Sequence, residues 1–266
     1  MTADPTTTGA DASPPPPSGR EPVAEQLPAH RLVARATGTY IAQVQRQYLD
    51  DVPAAVGQLA RLRRGAGKRA HQVPDLWGTG GTEELHRLLD GRQGFLRSEY
   101  AEEAVFLATT LWALHQQSGR EHGMHDRRQN LGGAVRALIR LKGTTSEDEE
   151  ASPLRKRLVR IGTAESLDSV AVRLREIVLL LRGAREPLDY ARLAGQLYRW
   201  QHRPDRAGVQ REWGREFHLA AVPAVPAGSA GSAAGKAKAA SGGAPGDAID
   251  RALAPDEEYG GYAAGE

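Results

Sequence analysis

Residues 98–115 read SEYAEEAVFLATTLWALH. Ala104, Phe106, Leu107, Leu111, Trp112 and Leu114 are spread over much of a helical circumference instead of forming one stripe. A helix apolar on so many sides has to be surrounded by other elements, so this stretch predicts the central helix of a bundle, with Ser98 at the position of an N-cap. The polar run from Gln116 to Asn130, with His122, His125, Arg127 and Arg128, then reads as a connector.

Working outward, the apolar spacing stays helical from His30 to Ala220 and no stretch alternates like a strand. Val33, Ile41, Val44 and Tyr48 predict a first amphipathic helix ended by Pro53. Val56, Leu59 and Leu62 predict a second, ended by Gly65 and Gly67. Residues 70–81 form a turn-rich connector with Pro74, Trp77 and Gly78-Thr79-Gly80-Gly81, and Thr82 with Glu83 and Glu84 predicts the cap of a short helix. Beyond the central helix, Leu131, Ala134, Val135 and Leu138 share one face, while Arg136 and Arg140 share another that is expected to be free for binding. An acidic loop spans 143–150, and Ser152-Pro153 predicts an N-cap followed by proline at the first helical position. Leu154, Leu158 and Ile161 make the next core stripe, and Leu174, Ile177, Val178 and Leu181 the one within 168–182. Pro187 is expected to open a helix through Leu193, Leu197 and Trp200, and Pro204 a last one that buries Val209, Trp213 and Phe217. The fold class expected is all-α, with two packed helical-bundle subdomains, 29–125 and 126–220, meeting near residues 118–130.

The two ends differ in composition. Residues 1–28 and 221–266 are rich in Pro, Ala, Gly, Ser and Thr and poor in large apolar side chains, so they are expected to be disordered tails. They hold four of the 35 basic and ten of the 33 acidic residues. What remains is 31 against 23, a core with net charge +8. Such a surface favours nucleic acid, an anionic membrane or acidic protein partners. Cysteine is absent, which excludes disulfides, thiol catalysis and thiolate metal sites. No apolar run has the length of a membrane span, and the first residues lack the layout of a signal peptide, so the expected location is cytoplasmic and away from membranes.

The basic residues fall into clusters. Leu59 to Arg69, LARLRRGAGKR, places Arg61, Arg63, Arg64, Lys68 and Arg69 together with no carboxylate among them. A second cluster is Arg127, Arg128, Arg136, Arg140 and Lys142. A third is Arg155, Lys156, Arg157 and Arg160, followed by Arg173 and Arg175. Like charges this dense repel one another unless a polyanion or acidic partner lies alongside, although a helix end also tolerates cations near its C-terminal dipole. No helix-turn-helix, zinc finger or RNA-binding aromatic signature accompanies them, so contact is expected with the backbone and without sequence preference.

Catalytic patterns fail on inspection. Gly67-Lys68 would need a glycine at position 62 and a Ser or Thr at 69 to form a phosphate loop, and Leu62 and Arg69 stand there. His115, His122 and His125 match no metalloprotease spacing, so no metal or other cofactor is expected. No serine-nucleophile elbow or paired catalytic carboxylates are present, and Asp189 reads as a carboxylate that complements a helix dipole. Trp112, Trp200 and Trp213 lie on apolar helical faces and read as core. Trp77, in the glycine-rich connector, is open between a loop anchor and a partner contact.

Six segments in order resemble a known family. They are Leu59 to Lys68 (LARLRRGAGK), Leu111 to Gln117 (LWALHQQ) with Met124-His125 after it, Leu131 to Leu138 (LGGAVRAL), Leu174 to Leu181 (LREIVLLL), Pro187 to Trp200 (PLDYARLAGQLYRW) and Val209 to Phe217 (VQREWGREF). The family is CasB, the small subunit of the type I-E CRISPR surveillance complex Cascade. The resemblance implies an all-α protein without catalytic activity, present as two copies beside the backbone subunits and the large subunit. It also implies basic surface that supports the guide RNA–target DNA duplex and holds the displaced strand, stabilising the R-loop. On the matching motifs it assigns Arg63, Arg64, Lys68, Arg136 and Arg175 to nucleic acid. Arg61, Arg128, Arg140, Lys142, Arg155 and Arg157 join them from clustering alone. The helix from Arg155 to Gly162 departs from the family pattern in lacking an aromatic residue, and both tails are additional. The alternative is a protein–protein scaffold whose arginines meet acidic partners, and a small helical enzyme is a third reading that no catalytic set supports.

Overall fold

The computed structural model describes residues 27–89, 97–143, 149 and 151–220. The two tails, apart from residues 27 and 28, and most of the acidic loop lie outside them. Among the described residues the chain forms nine α-helices: α1 (Ala29–Leu49), α2 (Pro53–Leu62), α3 (Thr82–Leu89), α4 (Ser98–Gln116), α5 (Leu131–Leu141), α6 (Pro153–Gly162), α7 (Leu167–Ala184), α8 (Tyr190–Gln201) and α9 (Arg203–Leu219). Three short 3₁₀ turns, Arg63–Gly65, Ala70–Gln72 and Pro74–Leu76, link α2 to α3.

The axis is α4, buried without interruption from Glu103 to Gln116. It packs on α1, α2, α3, α7 and α8, which accounts for its lack of a polar face. Full burial of Leu107 and Leu111 contributes roughly 1.5–3 kcal/mol each. Polar residues on α4 are satisfied locally: Thr109 donates to the Val105 carbonyl and Thr110 to that of Phe106, each at 2.8 Å.

Small residues let the long helices approach closely. At Gly195 of α8 a Cβ would stand 2.8 Å from the His30 carbonyl oxygen of α1. A Cβ at Gly132 of α5 would stand 2.3 Å from the Phe217 nitrogen of α9. The α1–α8 contact is the most extensive between any two elements. One apolar cluster runs from Val33, Ile41 and Val44 through Leu111 and Trp112 to Leu193, Trp200 and Trp213.

The connector 117–130 is fastened by amide side chains. Gln116 donates to the carbonyls of Gly119 and His122 and accepts from the Met124 nitrogen at 2.7 Å. Gln45 of α1 accepts from the His125 nitrogen and from the Trp112 indole. A β-bridge pairs His125 with Leu188, just before α8.

Ser152 is the N-cap of α6, accepting from the Leu154 nitrogen, with Pro153 following. Other boundaries differ from the sequence expectations. Ser98 is the first residue inside α4 and the cap position belongs to Arg97, which offers no side-chain acceptor. Thr82 is likewise inside α3, and its hydroxyl donates back to the Thr79 carbonyl. Pro53 starts α2 and does not end α1, because a fixed φ and a missing N–H suit a first turn. Pro187 does not open α8: Leu188 is held in the bridge, and Asp189 caps the helix by accepting from the Arg192 nitrogen at 3.0 Å.

Candidate nucleic-acid interface

The first basic cluster is built by the end of α2 and the turn after it. Leu59 and Leu62 anchor α2 in the core and leave Arg61 exposed. Gly65 and Ala66 are buried in the 3₁₀ turn, so the chain between them and Lys68 is pinned while Arg63, Arg64 and Lys68 project into solvent. Gly67 has φ of +80°, a left-handed conformation that a side chain would strain. The missing side chain also admits Arg175 of α7, since a Cβ there would stand 2.7 Å from Arg175 Cδ. The Gly67 turn and Arg175, 108 positions apart in sequence, thus meet at one surface.

Arg69 has a different role. Its guanidinium pairs with Glu103 of α4 at 2.7 Å and with Asp168 of α7 at 3.2 Å, while the Ala70 nitrogen donates to the same Glu103. It is a strut that fixes the turn to two helices. By contrast, the side chains of Arg61, Arg63, Arg64, Lys68 and Arg175 form no hydrogen bond or ion pair with any described residue. Five cations whose side chains have no counterion among the described residues make this an anion-attracting surface.

The other sequence-selected cations lie elsewhere. Arg128, Arg136 and Arg140 line a groove of about 810 Å³ with Arg192, Arg215 and Leu219. Arg136 and Arg140 are not on a free face as expected: both pair with buried Glu149, at 2.9 and 3.1 Å. Arg136 also donates to the carbonyls of His218 and Ala220, at the end of α9. Burial pushes the Glu149 carboxyl up, but hydrogen bonds from Arg140 and Arg136 outweigh it and hold the group below its usual range. Arg128 is fully exposed and forms a two-pronged pair with Asp126, whose carboxyl it holds below the ordinary value. Lys142 is exposed at the C-terminal cap of α5. Arg157 pairs with Glu176 at 3.1 Å, and Arg155 lies half-buried beside Trp213 and Phe217. The counter-carboxylates were not foreseeable by spacing, since Glu149 is 13 positions from Arg136 and Asp168 is 99 from Arg69.

The histidines do not converge. His115 is buried against Tyr190, its Nδ1 2.9 Å from the phenol oxygen, and burial lowers its pKa to about 3. His125 accepts from the Tyr190 nitrogen, and His122 is exposed. No group of three or more His, Asp or Glu suited to a metal occurs among the described residues. None of their helices is long and apolar enough to cross a membrane.

Fold and surface together define an all-α protein that carries a pinned, uncompensated cationic turn. The sequence signature described as CRISPR-associated protein Cse2 matches residues 58–218, and the chain belongs to that family. It is similar to the crystal structure of CasB from Thermobifida fusca, with 40% identity, a TM-score of 0.60, and coverage of 70% of this chain and 98% of that one. It is also similar to a chain of a CRISPR RNA-guided surveillance complex, with 24% identity, a TM-score of 0.48, and coverage of 71% and 94%. Comparison with curated proteins returned no match.

Proposed function

We propose that this chain is a non-catalytic subunit of a type I-E Cascade complex in the cytoplasm, working with the large subunit, the backbone subunits and a second copy of itself. Its turn 61–68 and Arg175 bind sugar–phosphate backbone of the guide RNA–target DNA duplex or of the displaced strand, and so stabilise the R-loop. The observation that carries this reading is the group of five exposed cations with no partner among the described residues, held on a buried scaffold. R-loop formation exchanges one duplex for another of similar stability, so a few backbone contacts decide the balance.

A scaffold role is favoured at the second surface. There Leu141 and Leu219 are 62% and 78% exposed beside arginines that already hold carboxylates. Apolar exposure next to neutralised charge suits protein contact better than phosphate contact. The two roles separate in one experiment: Arg63→Glu with Arg64→Glu, assembled with the other subunits and guide RNA, then tested for target retention. An intact complex with a weakened R-loop supports the proposal. Failure to assemble places the turn against protein instead.

A further inference from the structure

We propose that Trp77 is a stacking platform for an unpaired base of a single-stranded nucleic acid whose phosphates lie on Arg64 and Lys68. This rests on the nucleic-acid reading of the turn. Trp77 is 63% exposed, whereas Trp112, Trp200 and Trp213 are exposed by 2% or less. Its ring is nevertheless fixed. The indole nitrogen donates to the Ala70 carbonyl at 2.8 Å, and the Trp77 backbone nitrogen donates to that of Pro74 at 3.1 Å. Leu76, next in sequence, is buried, and its Cδ1 would touch a Cβ placed on Gly65. The ring is therefore tied to Ala70, whose Cα lies within about 7.6 Å of that of Lys68 by chain length alone, and its neighbour Leu76 packs on Gly65, the residue after Arg64.

The surroundings select the ligand. A tryptophan that anchors a protein interface is normally set among other apolar side chains. The other exposed large apolar residues, Val52, Leu141, Val159, Val172 and Leu219, all lie outside the connector 70–81. The other exposed residues of the connector are His71, Gln72, Pro74, Asp75, Gly78 and Thr79, of which Pro74 alone has an apolar side chain, and the adjoining turn is cationic. An indole face beside unneutralised cations suits a base with its phosphate, and Asp75 is the connector's single carboxylate. Paired bases have their faces covered by neighbours, so the partner is single-stranded.

Because the other tryptophans are buried, quenching of the chain's fluorescence by a stacked base reports on Trp77. The full chain is titrated at low salt with an oligothymidylate and with an abasic sugar–phosphate oligomer of equal length. The proposal expects both to bind and only the thymidylate to quench. Trp77→Ala should weaken thymidylate binding about 5- to 100-fold, leave the abasic oligomer unaffected, and be partly rescued by Trp77→Phe. Thymidylate binding without quenching, and equally tight to Trp77→Ala, overturns the stacking role while the backbone reading survives. Binding of neither oligomer overturns both. A Trp77→Ala defect confined to association with another protein subunit also overturns the stacking role, and assigns Trp77 to a protein contact.

Discussion

Charge neutralisation predicts how nucleic-acid affinity should respond to salt. If Arg61, Arg63, Arg64, Lys68 and Arg175 each displace one counterion from a duplex, log K should fall with log salt at a slope of about −4.5. Between 50 and 200 mM salt this is a loss of roughly 500-fold. Changing Arg63 and Arg64 to Gln should reduce the slope to about −2.7 and the loss to roughly 40-fold. The paired arginines give the opposite test. Glu149 holds Arg136 and Arg140 at 2.9 and 3.1 Å, so Glu149→Gln should release them and steepen the slope toward about −6. Fluorescence anisotropy with a labelled duplex across a salt series measures each slope, and circular dichroism checks that the variants remain folded. The reasoning is refuted if Glu149→Gln leaves the slope unchanged while Arg136→Gln with Arg140→Gln flattens it. That result would mean the guanidiniums reach phosphate despite their carboxylate.

Three further outcomes follow from local geometry. Gly132→Ala places a Cβ against the α9 backbone and should cost about 3 kcal/mol, read as a lowered urea midpoint. Gly67→Ala should cost about 1–2 kcal/mol for the left-handed conformation. It should also weaken polyanion binding by displacing Arg175, whereas Gly57→Ala, inside α2 at a site with open space, should stabilise by about 0.5–1 kcal/mol and leave polyanion binding unchanged. His115 is neutral when folded because burial depresses its pKa to about 3, while the unfolded chain protonates near its ordinary value of 6.5. The stability it contributes is therefore full above 6.5 and lost as the pH falls toward 3. Thermal melts between pH 7 and 5 should show a smaller loss for His115→Gln than for the wild type.

The fold was legible where local pattern and tertiary role coincide. Apolar residues at 104–108 and 111–114 cover most of the helical circumference and require burial on many sides, and α4 has it. Helix starts were less legible, because a cap depends on backbone geometry that composition does not fix. Pro187 looked like a helix opener, but Leu188 is engaged by His125, 63 positions away, and that pairing pushes the start to Tyr190. The cations of the interface were visible as a charge run, but their availability was not. Arg69 and Lys68 are neighbours in one run, yet one is a strut between helices and the other is unpaired. Arg136 and Arg140 stand on a polar face, as their spacing says, but that face is occupied by Glu149 and the end of α9. Periodicity tells which side a residue points to and carries no information about what meets it there.

The close seating of α1 against α8 bears on how the chain is made. Tyr190 follows Leu49 by 141 residues, so at typical synthesis rates α1 leaves the ribosome roughly 7–28 s before the helix it packs against. During that interval the α1 face that includes Ala34 and Gly38 has no cover from α8. Translation pauses or rare codons between 50 and 190 would lengthen this exposure and lower the yield of soluble protein without altering a single residue.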